Sequence, residues 1–232
     1  MLLIRYIAYF VGIALTAYLL TQLEISLPGE LRLAVPAGQG GLHQTSEYSP
    51  VEFVQLLVLF TCGVLLAWVA VNCHSQRTIA NLFAGLALIF LLHELDYFLD
   101  LYTIVNLWLV LIAIVAALII VYCYRHWRRF RIAWFRIWPS PGLVLYFAGA
   151  VVVFAFAPIV SQEALWQSLL GEAYRPVASA AADEFAELIG YLLWLIGTIE
   201  YVQQARALAR QEPQTAAAKR RSGRLPKSRG RY

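Results

Sequence analysis

Residues 104–124, IVNLWLVLIAIVAALIIVYCY, decide the fold class, because no Asp, Glu, Lys or Arg interrupts the run. A helix rises about 1.5 Å per residue, so such a run measures about 30 Å, the thickness of the hydrocarbon core of a bilayer. A helix that is apolar on every side has no polar face to give to water. Five further apolar runs have comparable length, at residues 2–23, 51–72, 79–100, 142–160 and 185–202, of which only 142–160 is also uncharged. The reading is an all-α, polytopic integral membrane protein, a bundle of about six transmembrane helices spread over residues 1–204.

The composition agrees. Of 232 residues, 61% are hydrophobic and 14% are charged, and the mean hydropathy is +0.66. A soluble domain carries about one quarter charged residues. The first run has one charge near its start, Arg5, and no small-x-small site before Glu24, so it is expected to be an uncleaved helix rather than a signal peptide. Residues 24–49 contain Pro28, Pro36, Gly38, Gly40 and Gly41 without helical or strand periodicity, and read as an irregular external loop. Ser49-Pro50-Val51-Glu52 supplies a cap residue, an N1 proline and an N3 glutamate for the second helix. Leu101, Tyr102 and Thr103 separate the third and fourth runs, which predicts an antiparallel hairpin. From Ala205 to Tyr232 the chain is basic and poor in large apolar residues, and is expected to be a disordered tail.

The formal charge of +4 does not point to nucleic acid, because the basic residues adjoin apolar runs. With the amino terminus inside, Arg77, the group at Arg125, Arg128, Arg129, Arg131 and Arg136, and the tail all fall on the cytoplasmic side, leaving Arg32 and Arg175 outside. The positive-inside rule therefore predicts cytoplasmic termini, in a multi-pass protein of a bacterial inner (plasma) membrane. Of the 14 carboxylates, all but Glu200 and Glu212 then fall in external loops or the outer halves of helices.

Two segments stand out. Around residues 125–138 a helical wheel sets Trp127, Phe130, Trp134, Ile137 and Trp138 against Arg125, Arg128, Arg129 and Arg136, while Arg131 breaks the pattern. This predicts a cytoplasmic interfacial helix attracted to anionic lipid headgroups. The third run ends in His93-Glu94-Leu95-Asp96-Tyr97-Phe98-Leu99-Asp100, where His93, Asp96, Tyr97 and Asp100 form one helical stripe and Glu94 turns aside. On the sixth run Asp183, Glu187 and Tyr191 recur at i, i+4, beside Glu184, and Glu52 opens the second run at similar depth.

A carboxylate at the bilayer centre costs about 3 kcal/mol on insertion scales, so these groups should face protein or a wet cavity. Gathered between the second, third and sixth helices, they would form an outer site for a proton or hard cation, with His93, Asp96 and Glu187 as metal ligands if a metal binds. Each has a structural alternative: Glu52 completes a capping box, Asp183 and Glu184 suit the positive pole of a helix, and Asp100 is interfacial. Glu200, near the inner end of the last helix, is expected to be paired or snorkelled, with Arg206 less than two turns on.

Enzyme signatures are absent from the sequence: there is no HExxH, no GxSxG and no Gly-rich phosphate loop. His43, His74, His93 and His126 cannot supply paired ligands for two haems, and Cys62, Cys73 and Cys123 lack CxxC spacing for zinc or a disulfide framework. No cofactor follows. A metal-dependent membrane hydrolase built on His93 and an adjacent carboxylate is the first alternative function. An assembly factor or scaffold with a protein partner on its external face is the second. Between the acidic layer and Glu200, the sequence offers few polar residues beyond Thr61, Asn81 and Thr198, which argues against a full polar path.

Overall fold

The computed structural model describes residues 2–26, 50–103, 106–138 and 140–222. Most of the 24–49 loop, the Ser49 cap and the tail from residue 223 lie outside the described residues. Within them the elements are α1 (Leu2–Ser26), α2 (Pro50–Asn72), α3 (Arg77–Glu94), α4 (Asp96–Tyr102), α5 (Leu107–Arg125), α6 (Trp127–Ile137), α7 (Pro141–Val151), α8 (Ala157–Val160), α9 (Glu163–Leu170) and α10 (Pro176–Ser222). Six stretches are long and apolar enough to cross a membrane: Leu3–Leu23, Pro50–Asn72, His74–Glu94, Leu107–Arg125, Pro141–Val160 and Ala178–Gln211.

Three boundaries depart from the sequence expectation. The third span ends at Glu94, and after Leu95 a separate short helix starts at Asp96. The negative end of a helix repels carboxylates, and a break at Leu95 moves Asp96 into the favourable first turn of α4. The supposed continuous stripe from His93 to Asp100 is thereby interrupted. The last span is longer than expected at both ends, since α10 begins at Pro176 and runs without a break to Ser222. Ala205, expected to open a disordered tail, is fully buried in the core. Its alanine-rich neighbourhood, Ala205-Arg206-Ala207-Leu208-Ala209-Arg210, favours helix and packs with little side-chain bulk. Finally, residues 163–170, part of what reads as a loop, form α9, with Leu165, Leu169 and Leu170 exposed.

α10 is the hub. It packs on α7, α2, α8, α9 and α1, while α2 pairs with α3 and α3 with α5. Two buried clusters lie along it. One gathers Cys62, Leu66, Val69, Cys73, Ile79, Ala133, Ile137, Tyr201 and Ala205; the other gathers Leu20, Val51, Leu59, Val153, Leu188, Tyr191 and Trp194. The first end carries Arg77 and α6, the second Glu94 of α3 with Asp183, Glu184 and Glu187 of α10. α5 has no buried residue, and α1 turns Phe10, Tyr18 and Leu19 outward, so both present apolar surface for lipid tails.

α7 and α10 meet backbone to backbone at two glycine pairs, Gly142 with Gly197 and Gly149 with Gly190. A methyl group on Gly142 would stand 2.9 Å from the Gly197 carbonyl oxygen, and one on Gly149 would stand 2.6 Å from that of Gly190. Beyond this contact the span carries a π-helical turn, Val152–Phe156, just before Pro158. Proline has no N–H to bond the preceding turn, and the wider turn absorbs the mismatch.

Candidate functional site

Glu94 closes α3 with a side chain only 7% exposed, whereas the adjacent His93 side chain is 55% exposed. The Glu94 carboxylate accepts a 2.7 Å hydrogen bond from the Tyr191 hydroxyl, and its Oε1 stands 3.8 Å from His93 Nδ1. Tyr191 reaches it because α3 and α10 interlock through aromatic rings, with Phe90 edge-on to Trp194 at 4.6 Å and to Tyr191 at 6.0 Å. Glu94 thus faces protein, as the cost of a carboxylate in lipid requires.

α2 joins through a residue the sequence reading passed over as a site member. Gln55 is fully buried, and its Nε2 donates to the Glu184 carbonyl at 3.0 Å and to Glu184 Oε2 at 3.2 Å. Its Oε1 is buried without a hydrogen-bond partner. Glu52 lies in the first turn of α2, three residues before Gln55.

One turn below Glu184 on α10, the half-buried Glu187 stands close enough to Glu94, Glu184, Asp183 and His93 for their charges to act on one another. Asp183 meets the Ser161 side chain at the end of α8. Asp183 and Glu184 are not helix-end residues: α10 starts at Pro176, two turns earlier, beyond the reach of the terminal dipole.

The structure therefore brings together Glu94, Glu184, Glu187, Asp183 and His93, adds Tyr191 and Gln55, and leaves Asp96 at the margin, where its charge acts on His93. Asp100 belongs elsewhere. Its Oδ1 accepts the Asn106 backbone N–H at 2.7 Å, stapling the turn into α5 where Asn106 adopts a left-handed conformation at φ 63°. Among the described residues no three or more His, Cys, Asp or Glu are grouped so as to hold a metal ion.

The opposite end has its own buried carboxylate. Glu200 accepts from Arg5 at 2.9 Å and from the Tyr9 hydroxyl at 2.8 Å, while Arg5 also donates to Gln203 at 2.6 Å. The expected neighbour Arg206 instead lies over the Trp68 ring at 4.3 Å. Six residues along a helix turn a side chain about 240°, so Arg206 points away from Glu200.

Between the two ends, α10 carries Glu187, Tyr191, Trp194, Thr198 and Tyr201 at alternating spacings of four and three, which set them on one stripe. Trp194 Nε1 donates to the Tyr146 carbonyl at 2.9 Å, the Tyr146 and Thr198 hydroxyls share a 2.5 Å hydrogen bond, and the Tyr201 hydroxyl donates to the Gln76 carbonyl at 3.2 Å. The bundle interior is thus more polar than a count of Thr and Asn suggests. The missed signal was this 4-3 recurrence of hydroxyl-bearing and indole residues on one helix.

α6 also differs from its simple amphipathic reading. Ala133 and Ile137 are buried, and Phe130 and Trp134 pack against the same core, so part of the aromatic side faces the protein's own helices. Trp127, Phe130, Trp134 and Trp138 form a ladder of near-parallel rings 5.6 to 6.4 Å apart. Arg125, Arg128, Arg129, Arg131 and Arg136 are exposed.

Comparison with protein-family models, with curated proteins and with solved structures found nothing that matches this chain.

Proposed function

We propose that this chain is a multi-pass membrane protein whose acidic end, turned to the external side, takes up a proton at the carboxylates between α2, α3 and α10, as a binding or transport protein does. The observation that supports it is Glu94, a carboxylate withdrawn from solvent, bonded to Tyr191 and held within reach of the charges of Glu187 and Asp183. Like charges at close range in a low dielectric repel unless one is neutralised. His93 is the basic group at hand, and its side chain is more than half exposed.

Of the two neutralisers read from the sequence, a proton needs one acceptor and a metal ion needs several. No metal-holding group is gathered among the described residues, which favours the proton. The stripe of hydroxyls on α10 below Glu187 gives the interior polar stations on the way to the opposite end, about 20 Å from Glu187 to Tyr201 along the helix.

The test is infrared difference spectroscopy of the reconstituted protein across a pH titration, with a proton-flux assay in proteoliposomes. A protonated-carboxyl band that titrates and is lost in Glu94→Gln or Glu187→Gln is expected. A wild-type protein with no titrating carboxyl band overturns the reading.

A further inference from the structure

We infer that the exposed basic face of α6, with Arg125 at the end of α5, is a docking surface for anionic phospholipid headgroups. The inference does not depend on the acidic site at the other end.

The position of α6 follows from its neighbours. α5 ends at Arg125 and the next span begins at Pro141, so both reach the same face of the membrane and α6 lies between them. Its 11 residues measure about 16 Å as a helix, half of what a crossing requires. It therefore rests at the boundary of the bilayer, clamped there by the buried Ala133 and Ile137.

The clamp fixes which side chains meet the headgroups. Turning by 100° per residue, Ala133, Ile137 and Phe130 share the protein-facing side, Arg128 lies opposite it, and Arg129 and Arg136 flank its edge, all three exposed. Trp127, Ile132, Phe135 and Trp138 are each more than half exposed and stand beside the arginines. Indole rings with guanidinium groups at one level suit the headgroup layer, where an apolar body meets a charged tip.

The charge selects the lipid. No Asp or Glu occurs between Asp100 and Glu163, so the sequence around Arg125, Arg128 and Arg129 is uniformly basic. Glu200, the buried carboxylate at this end, is already bonded to Arg5 and Tyr9. Guanidinium groups bind phosphate oxygens in bidentate fashion, so a phosphodiester with net negative charge complements the exposed Arg125, Arg128 and Arg129.

The experiment uses the full-length protein in bilayers of equal phosphatidylcholine and phosphatidylglycerol and measures the fraction of each spin-labelled lipid held at the protein surface. Phosphatidylglycerol should be retained over phosphatidylcholine by roughly fivefold, and the preference should fall toward unity at about 0.5 M NaCl. The variant Arg125→Gln, Arg128→Gln, Arg129→Gln should abolish it, and lysine at the same three positions should keep most of it. Equal retention by the wild type, a preference indifferent to salt, an unchanged preference in the glutamine variant, or its loss with lysine overturns the proposal. Should the glutamine variant fail to fold, the salt titration of the unaltered protein decides.

Discussion

Arg5 and Glu200 lie 195 positions apart in the chain and 2.9 Å apart in space, and their ion pair fastens α1 to the hub helix. α1 otherwise buries little of itself. Glu200 is nearly inaccessible, whereas the Arg5 side chain is 32% exposed, so the pair is half in contact with solvent and worth less than a fully buried one.

The first prediction follows from that asymmetry. Arg5→Ala should lower stability by about 2 kcal/mol, because it strands Glu200 without its counter-charge. Adding Glu200→Gln should recover part of the loss. A double-mutant cycle on thermal unfolding in detergent measures this, and strictly additive effects would contradict the pairing.

Tyr191→Phe removes one hydroxyl and leaves Glu94 Oε1 without its 2.7 Å donor. The expected cost is about 1–3 kcal/mol, the usual penalty for stranding a buried acceptor. The same variant should shift the carboxyl band assigned to the acidic site, and an unshifted band would detach Tyr191 from that site.

The glycine pairs give a contrast that can be measured in one expression series. Gly149→Ala drives a methyl group into the Trp194 ring and the Gly190 carbonyl, Gly190→Ala drives one into the Val153 side chain, and each should destabilise by about 1–3 kcal/mol. Gly63→Ala meets nothing within 4 Å and should be neutral or slightly stabilising. Equal melting temperatures across the three variants would show that α7 and α10 are not so closely apposed.

For topology, both termini and α6 should be cytoplasmic and residues 24–49 external. Reporter fusions after Tyr232 and within that loop check the assignment. An external carboxyl terminus reverses the side on which the acidic site opens.

Much of this was legible in the sequence, since apolar length fixes spans whatever packs around them. Glu94, Glu187, Asp183 and Glu184 could be paired because the cost of carboxylates in lipid narrows their options. The break at Leu95 was not legible: α3 and α4 are each helical on local preference, and a kink between them depends on where two negative ends are tolerated. Gln55 was not legible as a site member, because its role depends on facing Glu184 across 129 residues of chain. Arg5 and Glu200 meet through tertiary packing, so sequence spacing favoured the wrong arginine. The protein-facing side of α6 was hidden for the same reason: a wheel separates aromatic from basic residues but does not distinguish lipid from a neighbouring helix.

The unbroken course of α10 links the two ends mechanically. Glu187 and Glu200 are thirteen residues apart on one continuous helix, about 20 Å along its axis and about 220° around it, so they project to nearly opposite sides. One rigid helix thus carries both the Glu187 contacts with α3 and the Glu200 clasp on α1, so a twist of that helix would be felt at both.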